Sequence, residues 1–167
     1  VNFGYTEDSG WVDGGLKFDG VDDYVDISPD FDFGTDSFTI EIMSKHYDYE
    51  YPLTNFAIRN NNLAYCKGEK GFQIGHGYSS VGVDVVVNDG TNLIRGIIGK
   101  TPKLNEEVHA IFVFDRENGN VLYFYDGELV GELDISEITG DIKHNNLICI
   151  VKNISYFICL NLFFIFI

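Results

Sequence analysis

The stretch "VHAIFVFDRENGNVLYFYDGELVGELDI", Val108 to Ile135, decides the fold. "VHAIFVFD" is apolar on both faces apart from His109, which places it in the middle of a sandwich. "VLYFYDGELVGELDI" reads as two strands around Asp126-Gly127. Asp-Gly supplies the positive φ angles that a two-residue hairpin turn needs. Asn118-Gly119 gives the same signal one connection earlier. The stretch therefore predicts consecutive antiparallel strands.

The pattern continues outward. "SFTIEIM" alternates Phe38, Ile40 and Ile42 with Thr39 and Glu41, the period of a half-buried strand. "VGVDVVV" is rich in β-branched residues, and Asp89-Gly90 marks the next turn. No segment of ten or more residues keeps a clear helical period. The residues predict an all-β domain of about a dozen short strands, folded as a sandwich.

Composition narrows the partners. The 167 residues suffice for one domain with a core, and the net charge is -15. So acidic a chain is a poor partner for nucleic acid or an anionic membrane. It suits divalent cations or neutral ligands, and equally plain solubility. Cys66, Cys149 and Cys159 follow no metal-ligand or disulfide spacing. The chain opens on "VNFGYTEDSGW" with neither Met nor a signal peptide, as a piece of something longer would.

Four blocks in order resemble a laminin-G-like, concanavalin-A-like lectin/glucanase domain: "GGLKFDGVDDYVDI", "FTIEIM", "KGEKGFQIG" and "VHAIFVFDRENGNVLYFYDGELVGELDIS". The resemblance covers about residues 11–140. It implies a two-sheet antiparallel jelly-roll β-sandwich, and a non-catalytic binding module of a larger extracellular or cell-surface protein. Carbohydrate is the expected ligand. The alternative is a structural or adhesive domain of a surface or phage-tail protein, and a glycoside hydrolase comes third. Met43 and Ser44 stand where such domains more often carry tryptophan and valine. No strand like the family's closing one follows Asp141, so the native last strand is expected to be missing or replaced.

Composition changes abruptly there. Residues 1–141 hold all 26 acids and all 18 glycines, whereas "IKHNNLICIVKNISYFICLNLFFIFI" has no Asp, Glu, Gly, Pro or Ala. Three readings of residues 142–167 compete: a replacement strand, a membrane anchor over 147–167, or non-native coding sequence. Lys152, Asn153, Ser155 and Asn161 weigh against the anchor, because polar groups are costly in hydrocarbon.

"GLKFDGVDDYVDI", Gly15 to Ile27, concentrates Asp19, Asp22, Asp23 and Asp26. Asp side chains bond turn amides, which alone accounts for Asp19 and Asp22. Calcium takes six to eight oxygens, and the same two are the candidate ligands; the resemblance strengthens that reading. Asp23 and Asp26 are expected to face water.

A glycosidase needs two carboxyls flanking a bond. "TIEIM" offers Glu41 alone, and Glu132 and Asp134 read as a solvated face. Sugars are held by aromatic faces with polar groups fixing the hydroxyls. In "HYDYEYP", Tyr47, Tyr49 and Tyr51 alternate with polar residues, and Trp11 is the only tryptophan. These four are the candidate ligand contacts; covering a sheet edge or plugging the core is the competing use of each.

Overall fold

The computed structural model describes residues 2–4, 10–12, 15–19, 24–27, 33–46, 57–59, 69–75, 81–143, 148–150 and 155–166. They form fourteen strands and no helix. These are β1 (Asn2–Gly4), β2 (Gly10–Val12), β3 (Gly15–Asp19), β4 (Tyr24–Ile27), β5 (Phe38–His46), β6 (Ala57–Arg59) and β7 (Lys70–Gly75). The rest are β8 (Val83–Asp89), β9 (Leu93–Ile98), β10 (Glu107–Asp115), β11 (Asn120–Tyr125), β12 (Glu128–Asp134), β13 (Ile148–Ile150) and β14 (Ser155–Phe166). They make two seven-stranded antiparallel sheets: sheet A in the order β1-β4-β13-β6-β7-β8-β9, and sheet B in the order β12-β11-β10-β5-β14-β3-β2. Among the described residues no helix is long and apolar enough to cross a membrane.

The deciding stretch folds as read. Strands β10, β11 and β12 are consecutive antiparallel neighbours. Asp126 and Gly127 take φ of 51° and 82° in the last turn, and Gly119 takes 72° in the one before. Strand β10 is interior in sheet B, beside the central β5, but its two faces differ. Val108, Ala110, Phe112 and Phe114 are buried, while His109, Ile111 and Val113 stay partly exposed on the other side.

Register explains the core. One line of cross-strand partners through sheet A reads Phe3, Val25, Ile150, Ile58, Ile74, Val85 and Gly96. Period-two alternation puts such a line on one face, and Val25, Ile74 and Val85 are buried in the core. From sheet B, Phe38 and Phe114 stack at 4.3 Å. Phe72 of sheet A meets Phe38 at 5.4 Å, and Phe33 caps both. Each ring buried this way contributes roughly 1.5–3 kcal/mol.

One side of the sandwich closes through glycines. A Cβ on Gly96 of β9 would lie 2.5 Å from Leu133 Cδ1 of β12, and one on Gly131 would lie 2.5 Å from Gly99 N. At Gly131 a larger residue would force the backbone apart, whereas at Gly96 the Leu133 side chain would have to turn away.

Past β12 the chain crosses back with Ile135, Ile138 and Ile142 buried. Arg116 donates to the carbonyls of Ile138 and Gly140 at 2.9 and 2.8 Å. Gly140 N donates to Asp89, which also accepts from Thr91 N and Asn92 N. Burial works to raise the Asp89 carboxyl. The amides of Asn92, Gly140 and Thr91, with the Arg116 charge, outweigh it and hold the group below its ordinary value.

Both segments of the apolar tail lie inside the sheets. Strand β13 pairs with β4 and β6, and β14 pairs with β3 and β5. The register of β14 against β5 slips between Cys159 and Phe163.

Candidate functional site

A sandwich spends one face of each sheet on the core, so a ligand must use a second face, an edge or a loop. The second face of sheet A carries the unusual chemistry. Next to the apolar line runs another: Asn2, Asp26, Cys149, Arg59, Gln73, Val86 and Arg95. Two of the chain's three arginines fall on it.

Strands β7 and β8 are buried on both faces. Phe72, Ile74, Val83, Val85 and Val87 belong to the core cluster. The residues between them, Gln73, Asp84, Val86 and Asn88, point the other way and are buried too. A polar group under cover must be hydrogen-bonded or it destabilises the fold. Asp84 meets this need through Arg95: Nε donates to Oδ1 at 2.9 Å and Nη2 to Oδ2 at 2.8 Å. Register accounts for the reach. Asp84 stands opposite Ile97, so Arg95 is its diagonal neighbour, within range of a long side chain.

The two partners differ in exposure. The Asp84 side chain is 3% exposed and that of Arg95 46%. Arg95 sits on β9, an edge of sheet A, between Leu93 and Ile97, which are exposed as well. An open aliphatic–guanidinium–aliphatic stripe thus runs along the edge strand, its cation anchored to a covered carboxylate. The composition points away from this arrangement. The signal available in sequence is one acid inside "VGVDVVV" and one arginine in the strand after the turn.

The second face of sheet B is different. Ile111, Val113, Leu122 and Phe124 are partly exposed on it. On it His109 Nε2 donates to Glu41 Oε1 at 2.6 Å, with side chains 34% and 28% exposed. Glu132 and Asp134 are exposed on β12. Between the sheets, Ser44 Oγ lies 3.0 Å from His46 Nε2 beside a mostly apolar cavity far too small for a sugar.

Of the residues singled out in the sequence, Trp11 is the middle residue of β2, opposite Leu16 in sheet B. Asp19 ends β3 opposite Ser155. Asp26 lies in β4, on the polar line. Asp22, Asp23, Tyr47, Tyr49 and Tyr51 lie outside the described residues. The tyrosine run begins directly after His46, the last residue of β5.

No family model matches the chain, and no curated protein matches it. Among solved structures it is similar to a carbohydrate-binding module, CBM66, from Bacillus subtilis. That match has 16% identity and a TM-score of 0.54, and covers 93% of this chain and 89% of that one. It is also similar to the CBM40 module of a Ruminococcus gnavus IT-sialidase bound to α2,3-sialyllactose. Here identity is 15% and the TM-score 0.53, over 89% of this chain and 91% of that one. A second structure of the same module gives a TM-score of 0.54 at 15% identity, over the same shares of the two chains. At such identities the likeness establishes the fold, an antiparallel jelly-roll β-sandwich.

Proposed function

We propose that this chain is a non-catalytic carbohydrate-binding module of a larger extracellular or cell-surface protein, related to the laminin-G-like domains. The observation that carries the reading is the β9 edge of sheet A, where the half-exposed Arg95, held by the covered Asp84, stands between the exposed Leu93 and Ile97. Fixed polar groups beside apolar surface are what a sugar, with hydroxyl rim and C–H faces, requires. The similar modules from Bacillus subtilis and Ruminococcus gnavus are carbohydrate-binding modules by description, and one holds sialyllactose. Tyr47, Tyr49 and Tyr51 are assigned as aromatic contacts; Trp11, on β2 at the sheet edge opposite β12 and β9, is assigned to a separate contact. Calcium is assigned to Asp19 and Asp22.

A printed glycan array tests the function. Reproducible binding that falls on Tyr47→Ala or Tyr49→Ala supports the module and its aromatic contacts. Silence on a broad array favours the rival, a structural or adhesive domain docking protein through the half-exposed apolar face of sheet B. Hydrolysis of a bound glycan, lost in Glu41→Gln, would restore the glycosidase. Titration with millimolar calcium should release heat and raise the melting temperature; a flat response removes the metal.

The domain proper is assigned to residues 1–141, with the tail as replacement strands. The positions of β13 and β14 support that reading over an anchor. Truncation after Asp141 should then unfold the domain. A soluble, cooperatively melting product would show that the tail is dispensable.

A further inference from the structure

We infer that Arg95 is the cation that recognises the glycan, and that Asp84 is a positioning residue that fixes its guanidinium. This rests on the carbohydrate-binding reading. The argument starts from what the pair does not explain. A covered carboxylate paired with an arginine adds little net stability over apolar residues of the same volume. Stability alone therefore gives no reason for an acid inside a β-branched run. What the pair does supply is orientation. A free arginine side chain samples many rotamers, and ordering them on binding weakens affinity. With Nε and Nη2 both on Asp84, the plane of the Arg95 fork is set before any ligand arrives. The side chain is still 46% exposed.

Position adds the ligand class. Leu93 and Ile97 point to the same face as Arg95, each about 7 Å from it along the strand, and both are exposed. The stripe matches a saccharide lying along β9. The aliphatic side chains take the C–H faces of its rings, and the guanidinium takes two adjacent acceptor oxygens. Those oxygens belong to a vicinal diol or to a sugar carboxylate, since a planar fork fits either pair.

The probe is a printed array of neutral and sialic-acid-terminated oligosaccharides, followed by titration with the strongest binder. Arg95→Lys keeps the charge but loses the fork, and should weaken binding at least tenfold, the worth of roughly one charge-assisted bond. Asp84→Asn should weaken it by about tenfold at a little-changed melting temperature. In the Arg95→Lys background, Asp84→Asn should cost nothing further, because its effect passes through the fork. Should Asp84→Asn fail to fold, the apolar pair Asp84→Val with Arg95→Met, nearer in volume, keeps the site filled and should fold without binding. Loss confined to sialylated glycans assigns the carboxylate, and loss on neutral glycans assigns the diol. Unchanged affinity in Arg95→Lys overturns the inference and leaves the module standing. An additive effect of Asp84→Asn overturns the positioning role. A wild-type protein silent on the whole array overturns the module and this inference together.

Discussion

The two sheets share one core but treat their outer faces in opposite ways. Sheet A covers polar residues: Gln73, Asp84 and Asn88 are buried on the side away from the core. Sheet B leaves apolar residues partly open: Ile111, Val113, Leu122 and Phe124. Among the described residues the two faces also carry different polar contacts, the Arg95–Asp84 ion pair on sheet A and the His109–Glu41 hydrogen bond on sheet B. The first joins an open cation to a covered acid; the second is half-open at both ends. The difference teaches that residue type alone does not mark an outer face. Exposure and register do.

Changes on the common core and on the two outer faces should therefore separate. The largest effect belongs to the core. Phe38→Ala removes a ring stacked on Phe114 and should cost about 3–5 kcal/mol by denaturant unfolding. Next comes sheet A. Arg95→Ala takes the guanidinium away from a covered carboxylate and should cost about 2–3 kcal/mol. A loss below half a kcal/mol would erase the contrast between the faces.

Acid should reveal sheet A as well. Asp89, at the end of β8, has its folded pKa held below the ordinary 3.8. Its stabilising share is complete above that value and is lost as pH falls through the lower, folded one. Melting temperatures from pH 6 down to 2 should show less acid loss in Asp89→Asn than in the parent, from a lower starting stability. Parallel curves would remove Asp89 from the account. The smallest effect belongs to sheet B. Glu41→Gln opens a half-exposed contact and should cost at most about 1 kcal/mol.

How much of this was legible follows from the range of each interaction. Strands β10 to β12 are joined by short turns, so alternation and two glycine-bearing turns suffice to place them. The Arg95–Asp84 contact was within reach too. The turn at Asp89-Gly90 sets β8 against β9, which puts an acid diagonal to an arginine. Alternation misses it, because a strand covered on both faces has no polar side to contrast. The place of β14 was not legible. It pairs with β5 and β3, more than a hundred residues earlier, through a slipped register that no local pattern encodes. The tyrosines and Asp22 fall outside the described residues, so their assignment still rests on residue type.

The strand order also has a consequence for a growing polypeptide. Strand β5 ends at His46, yet one of its two neighbours is β14, which ends at Phe166. At translation speeds of about 5–20 residues per second, the β14 edge of β5 stays unpaired on the order of ten seconds. For that interval the Thr39–Glu41 edge is open to any passing strand, and sheet B exists in two halves. Slow codons between β5 and β14 would lengthen that interval, and a holding chaperone that covers the edge would raise the yield of folded protein.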